Sequence, residues 1–484
     1  MPLGKDQIRT IPGVGAAIYT GALNNIVFYD FGNIGATPIM ILFLRDGSVV
    51  QVNTTTRVAT TMAGAGTILN PSYGSIGVSQ WGSQFILIVS QQTNGYFIWD
   101  GTTFYVTGMT VPGTSGGVVP AGISGNAIET YSGRIWISDG ATITFAAPGS
   151  VVDFATADGG GAFTSVDSFL RIRYTQLIQT NGFLYTIGDS SINYISGVQT
   201  GGSPVTTTFT NQNANPEVGT PWDGTVDVFG ENILFANAFG AHVSYGGKAS
   251  KISEPLDGIY NTVPNFGGFT PSAGKAIVFG KKVWCLLLPV IDVITGQQIN
   301  KIFMWQNGKK WWSTQQDFPL IFLQHQEIDS VLTCYGTDGT SVWPLFQRPS
   351  TAFTKTVQSK LFANPGGYMF TKTVGRLWGL AIYYTNQSPS LTISVDNEYQ
   401  RSNTTLLAGP LTAGWVNSLG NPVTWLNASS APVTWLIFGL GVVVFPPQAV
   451  GQQGALSGLT ISTSAADMAL VSMTIGPEIQ QYNG

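Results

Sequence analysis

Short runs of alternating or continuous apolar residues dominate this chain. Gly, Asn, Asp and Pro clusters interrupt them at close intervals. Segments with the 3.6-residue period of an amphipathic helix are scarce, so the pattern predicts an all-β protein. One phrase recurs. It reads ILFLRDGSVVQVN at 41–53, YFIWDGTTFYV at 96–106 and RIWISDGATITFAA at 134–147. Looser versions are FLYTIGDSSINYIS (183–196), AHVSYGGKASKIS (241–253), IFMWQNGKKWWST (302–314) and LTCYGTDGTSVWPL (332–345). Most turn on Asp-Gly, Asn-Gly or Gly-Gly, which supply the positive φ angles of a type I′ hairpin turn. Further apolar strands precede several phrases, as at FILIVS (85–90), KAIVFGKKVWCLLLP (275–289) and FPLIFLQ (318–324).

A hairpin with one or two earlier strands is a three- or four-stranded antiparallel unit. About seven such units follow one another at irregular spacings. A small sheet cannot bury both faces alone, so the units must stack. Radial stacking predicts a β-propeller of six or seven irregular blades over 26–350. A set of β-sandwiches that share hairpin turns is the alternative. The phrase ends near residue 350. New strands follow at 375–385, 390–398, 457–465 and 468–479, which predicts a C-terminal β-sandwich or platform domain over 351–484. The Asn-, Ser-, Thr- and Gly-rich stretch 399–432 reads as exposed loop or interface arm, and residues 1–25 as an extended arm. VTWLIFGLGVVVF (433–445) is too short to span a bilayer as a helix and reads as buried strand.

Composition narrows the function. Apolar residues make up 43% of the 484 positions, enough for a sizeable core. Charged residues are only 10%, far below the usual quarter. Such a surface suits a chain covered by copies of itself or by partners, or else a stable extracellular protein. A net charge of −4 gives no basic footprint for gripping nucleic acid. The two cysteines, Cys285 and Cys334, lie in no CxxC or metal spacing. The N-terminal MPLGKDQIRTIPGVGAA has no apolar core of a secretory signal, so none is expected.

Candidate chemistry is thin. GTSGG at 113–117 fits the G-x-S-x-G pattern around Ser115, yet no helix is predicted after it, and a loop is the better reading. His242 and His325 are the only histidines and lie in no motif. They read as packed or surface imidazoles. Asp153, Asp158 and Asp167 could pair for glycosidic chemistry or hold Ca²⁺, but aspartate as turn-former in a Gly-rich loop is simpler. Lys281-Lys282 and Lys309-Lys310-Trp311-Trp312 place cations beside aromatics. The second group is the candidate exposed aromatic and basic turn, able to stack on bases or sugars. No phosphate loop is present, and the expectation is a protein without cofactor, metal or catalytic residue.

Several stretches carry a family resemblance. IPGVGAAIYTGALNNIVFYDF, FLRDGSVVQVN, WGSQFILIVSQQTNGYFIWDGTTFY and GRIWISDGATITFAAPGSVVDFATADGGGAF are four. FLYTIGDSSINYISGVQTGGSPVTTTFTNQN, GRLWGLAIYYTNQSPSLTISVDNE and LTISTSAADMALVSMTIGPEI are three more. Together they resemble the tail nozzle group of short-tailed bacteriophages, also called tail tubular protein B or packaged-DNA stabilisation protein. The resemblance implies a homohexameric ring below portal and adaptor, pairing a propeller with a β-rich platform. It also implies a virion protein assembled in the host cytoplasm. Its partners would be further copies of itself, the head-to-tail adaptor, tail fibre or needle proteins, and the host envelope. Genomic DNA would pass its lumen without sequence-specific contact, and a slightly acidic wall suits passage better than a cationic one. The ring is expected to assemble through the region from Thr351 to Gly484. A receptor- or glycan-binding propeller of a tail tip or adhesin is the alternative, with Trp311 and Trp312 lining a groove.

Overall fold

The computed structural model describes residues 8–9, 12–114, 117–164, 174–260, 271–291, 297–306, 310–315 and 319–347, and beyond these the strands named below between 355 and 479. The chain divides into two compact units. One is Ala16–Leu345, and the other combines Met1–Gly15 with Phe346–Gly484.

Ala16–Leu345 is a seven-bladed β-propeller. Blade 1 comprises Ile26–Ile34, Thr37–Leu44, Val49–Asn53 and Ala59–Ala63. Blade 2 comprises Ile76–Trp81, Phe85–Ser90, Tyr96–Trp99 and Phe104–Tyr105. Blade 3 comprises Ala127–Tyr131, Arg134–Asp139, Thr142–Phe145 and Gly161–Thr164. Blade 4 comprises Tyr174–Thr180, Phe183–Gly188, Ile192–Gly201 and Thr206–Asn215. Blade 5 comprises Asp227–Phe229, Asn232–Asn237, Gly240–Ser244 and Ser250–Lys251. Blade 6 comprises Ser272–Val278, Lys281–Ile291, Gln298–Gln306 and Lys310–Gln315. Blade 7 comprises Phe322–Ile328, Val331–Thr337 and Ser341–Pro344, and takes Tyr19–Thr20 as its outer strand. The first strand of each blade touches the first strand of the next, and blade 7 touches blade 1, so these strands surround the axis.

The seven hairpin phrases fall one in each blade, but not on the same turn. In blades 1, 3, 4 and 7 the phrase spans the second and third strands. In blades 2, 5 and 6 it spans the third and fourth. That shift produces the irregular spacing in the sequence. The turn chemistry also differs from expectation. In the Asp-Gly turns only the glycine is left-handed, with φ of 84° at Gly47, 98° at Gly101 and 89° at Gly339. The aspartate folds its carboxylate over the turn instead. Asp100 Oδ1 accepts the N–H groups of Thr102 and Thr103 at 2.7 Å each, and Asp338 Oδ1 accepts those of Thr340 (2.8 Å) and Ser341 (2.9 Å). These are Asx turns. The type I′ geometry, with two successive positive φ angles, sits between the first and second strands, at Ser132-Gly133, Asn181-Gly182 and Phe279-Gly280.

The core lies between consecutive blades. Ile39, Ile41 and Phe43 of blade 1 meet Ile86, Ile88 and Phe97 of blade 2. Leu87 and Ile98 of blade 2 meet Ile128 and Ile135 of blade 3. Tyr29 and Leu42 of blade 1 meet Phe322 and Tyr335 of blade 7. The inner strands approach so closely at Gly77 that any Cβ there would lie 2.8 Å from the Ala127 Cα of blade 3. Only glycine permits that approach.

Ring closure depends on the N-terminal segment. Ile18 N–H donates to the Val342 carbonyl at 2.9 Å, and Gly21 N–H to that of Thr340 at 2.9 Å. Ile18 is itself buried. The segment assigned from sequence to an arm over 1–25 is therefore divided. Tyr19–Thr20 belongs to the propeller, while Ile8–Arg9 pairs with Met468–Ile479 in the second unit.

That second unit contains two five-stranded sheets. In one, Lys372–Tyr384 pairs with Met468–Ile479, Gly441–Phe445 and Gln448–Gly454. In the other, Leu456–Thr463 pairs with Lys355–Gln358, Phe362–Ala363 and Ser390–Asp396, which pairs in turn with Arg401–Leu407. Ile393 and Ile461, directly opposite in register, are both buried. A short ladder joins Trp415–Val416 to Pro422–Val423. The stretch 399–432 is thus not wholly loop. Its Thr-Thr-Leu-Leu run forms a hairpin strand, because β-branched residues suit an extended ladder. Of 433–445, Gly441–Phe445 is strand and the rest lies outside the described residues. Among the described residues no helix is long and apolar enough to cross a membrane.

Replacing Ile18 by Pro should cost the propeller about 2–5 kcal/mol, through a lost ladder hydrogen bond and a lost buried aliphatic side chain. Urea unfolding of variant and wild type measures it. Equal midpoints would show that the Tyr19–Thr20 strand does not hold the ring closed.

Candidate functional site

An inner strand is a sheet edge, so its axis-facing backbone groups have no ladder partner. Side chains fill that role. Asp30, Glu129, Gln176 and Gln324, in blades 1, 3, 4 and 7, each fold back to accept the N–H of the next residue, at 2.8, 2.9, 3.0 and 3.0 Å. Gln80 of blade 2 grips blade 1. Its Oε1 accepts from Asn33 N–H (2.9 Å) and its Nε2 donates to the Asn33 carbonyl (2.6 Å). Lys275 of blade 6 donates to the Val228 carbonyl of blade 5 at 2.7 Å. A polar belt thereby encircles the axis.

The belt has two electrostatic halves. Asp227, Lys275 and His325, from blades 5, 6 and 7, converge on one side. Lys275 Nζ lies 3.0 Å from Asp227 Oδ1, and His325 Nδ1 lies 3.6 Å from Asp227 Oδ2. Burial holds the His325 imidazole neutral and pulls its pKa down to about 4, although Asp227 opposes the shift. On the other side, no cation among the described residues bonds to Asp30 or Glu129. Asp30 accepts from Gln324 Nε2 at 3.3 Å, and Glu129 accepts from Ser79 Oγ at 3.4 Å. Enclosure by the strands pushes both carboxyls up to about 7, and Glu129 adds to the shift of Asp30 by charge repulsion. The two groups are thus partly protonated at neutral pH. Such an arrangement satisfies strand edges and tunes charge along the axis. Among the described residues no group of three acids, His or Cys is disposed to hold a metal.

The residues singled out from sequence do not converge here, with the exception of His325. His242 is buried in blade 5, stacked on Phe235 at 5.3 Å, and burial pulls its pKa down to about 4. Asp153 is a turn-former, since its Oδ1 accepts the Ala155 N–H at 2.8 Å. Asp158 sits in a single 3-10 turn, Thr156–Asp158. Ser115, Asp167 and Lys309 lie outside the described residues, as does the side chain of Lys310. Lys282 rests over the Phe229 ring at 5.8 Å. Trp311 is not an open stacking face. Its Nε1–H donates to the Ile252 carbonyl of blade 5 at 2.7 Å, and its ring meets Trp284 edge-on at 6.2 Å. Trp312 is half-buried. The reason is topological: Trp311 stands on the face of its outer strand that packs towards blade 5. Cys285 of blade 6 and Cys334 of blade 7 are free and buried, and burial pushes the Cys285 thiol well up from its ordinary value.

Sequence reading missed the belt and also Arg134. That arginine is buried to 2% exposure and reaches from blade 3 into blade 4. It donates to the carbonyls of Gly159 (2.7 Å) and Ala146 (3.3 Å), to Thr207 Oγ1 (2.9 Å) and to Thr200 Oγ1. The available signal was a single charge within an apolar run: Asp30 in IVFYDFGNI, Glu129 in AIETY, Arg134 before IWIS.

No protein-family model and no curated protein matches the chain. Solved structures do. The chain is similar to a BBS1N domain in complex with ARL6DN (TM-score 0.41, 7% identity), over 71% of this chain and 99% of that one. It is also similar to the β-propeller domain of Cps50 (Swd1) from Myceliophteria thermophila (TM-score 0.40, 11% identity), over 70% and 100%. A third is YCF48 bound to D1 peptide (TM-score 0.42, 10% identity), over 71% and 98%. This chain has the seven-bladed propeller fold, as its strand order establishes. At such identities and scores the likeness extends to chain path and not to chemistry.

The belt has a signature in pH. The raised pKa values of Asp30 and Glu129 favour the folded state below their unfolded values of 3.8 and 4.5, an advantage lost as pH rises through about 7. His242 and His325 act oppositely. Their advantage is present above 6.5 and is lost as pH falls through about 4. Asp30→Asn with Glu129→Gln should therefore unfold at higher temperature than wild type at about pH 8, with the gap closing towards about pH 5. A gap that widens on acidification would exclude enclosed, unpaired carboxylates.

Proposed function

We propose that the chain is a structural virion protein, the subunit of a tail nozzle in a short-tailed bacteriophage. Copies form a ring below portal and adaptor, retain the packaged genome and pass it during ejection. The sequence resemblance supports this reading, and so does a surface poor in charge. The observation that carries it is the way the chain crosses between its two units. The propeller is inserted as one continuous piece, Ala16–Leu345, into a unit built from both chain ends. The two crossings lie side by side, with Gln347 N–H donating to the Gly13 carbonyl at 2.8 Å. A domain fastened through both of its chain ends cannot unthread from one end, which suits the wall of a pressurised conduit.

The remaining parts of the reading follow from that role. Ring contacts are assigned to 351–484, leaving the propellers to project and to meet fibre or needle proteins. DNA passes a wall whose slight acidity repels phosphate. The alternative, a glycan-binding propeller, has less to support it, since Trp311 is engaged between blades 5 and 6.

Single-particle electron microscopy of the purified protein and of infected-cell lysate tests the proposal. A six-fold ring with an open centre, attached beneath a portal complex, is expected. A chain that remains monomeric in both samples, with no ring in the lysate, would overturn it.

A further inference from the structure

Six of the seven blades end in short outer strands, and blade 4 does not. The outer strands of blades 2, 5 and 7 are 2 residues long, that of blade 3 is 4, that of blade 1 is 5 and that of blade 6 is 6. In blade 4, Thr206–Asn215 runs for 10 residues. It pairs with the 10-residue Ile192–Gly201, and together they form a hairpin whose far half is exposed. Along 206–212 no described strand pairs with the outer edge.

Exposed edges normally carry guards such as lysine, proline or inward charge. This edge has none. From Ile192 to Asn215 there is no Asp, Glu, Lys or Arg, and the only proline, Pro204, lies in the connecting turn. Thr206, Thr208, Thr210, Asn211 and Gln212 are exposed. The edge is also held stiff. Arg134 binds Thr200 and Thr207 from behind, and Phe209 packs edge-on against Trp136 at 5.5 Å. A stiff edge loses little conformational freedom when a further strand is added.

The chemistry selects the occupant. Within the hairpin, like already pairs with like: Thr200 and Thr207 hydroxyls lie 3.4 Å apart, and Asn213 Nδ2 donates to Asn193 Oδ1 at 2.8 Å. Threonine and amide ladders of this kind extend most readily with the same residue types. In a two-fold antiparallel contact centred on Phe209, Thr208 of one copy faces Thr210 of the other and Thr206 faces Gln212, so uncharged hydroxyls and amides meet and no like charges are opposed. We propose that Thr206–Asn215 pairs edge to edge, antiparallel, with the same strand of a second copy of this chain. The contact joins two blade 4 sheets into one continuous eight-stranded sheet. It is two-fold, so it differs from the head-to-tail contacts around a six-fold ring and does not rest on the nozzle reading.

Sedimentation velocity of the full chain over a concentration series tests this. Wild type is expected to show a concentration-dependent dimer. Thr208→Lys with Thr210→Lys sets like charges against one another across the two-fold axis and should abolish the dimer, leaving the thermal unfolding midpoint unchanged, since both positions are exposed. Thr210→Pro is the second variant, acting through the backbone. Wild type that stays monomeric throughout, or that associates by ring formation alone, would overturn the proposal. So would folded variants that dimerise as wild type does. Rings observed in addition to the two-fold contact bear on the nozzle reading only.

Discussion

A four-stranded sheet has two apolar faces and two unpaired edges, and the propeller has seven such sheets to accommodate. Burial between blades is the interaction on which everything else depends. Ile86, Ile88, Leu87 and Ile98 are all essentially inaccessible, yet they belong to opposite faces of one blade and are covered by different neighbours. No blade can therefore be removed without exposing two others. The ring is closed by Tyr19–Thr20, which contributes the last strand of the last blade and makes closure a non-local contact between residues more than 300 apart in sequence. Formation of that contact comes at the cost of a long loop closure, which the burial of Ile18, Tyr29, Phe322 and Val342 at the seam offsets.

Closing the ring solves the problem of the faces and creates one at the inner edges. Seven strands meet around a narrow axis where backbone groups have neither ladder partners nor free access to bulk water. Carboxylates and amides from the same strands, or from the next blade, take their place. This explains why single charged residues stand inside otherwise apolar strands, and why two of those carboxyls rest near neutrality in their proton affinity.

The outer edges are handled unevenly. Short strands dispose of most of them, and Trp311 ties the outer strand of blade 6 to blade 5. Blade 4 alone keeps a long, charge-free outer strand, and the surrounding contacts stiffen that strand without covering its edge. The low charge of the chain thus has a local expression, concentrated where a further strand can be added.

Alternating apolar runs and glycine-bearing turns made the β class, the repetition and the approximate number of blades legible in the sequence, because side-chain period and turn conformation are local properties. The same local logic misplaced the type I′ turns, since Asp-Gly can equally make an Asx turn with one left-handed glycine. It made Trp311 an exposed stacking residue, although that side chain faces the next blade. It also gave the whole of 1–25 to an arm, whereas two pairs of residues within it serve different units. The polar belt was invisible for a related reason: Asp30, Gln80, Glu129, Asp227 and Gln324 are dispersed over some 300 positions and become neighbours only around a closed axis. Sequence by itself determined what each strand is and which faces it must bury. Tertiary structure alone decided which edges remain open, which charges meet and which aromatics are covered, because those properties belong to the ring and to no single blade.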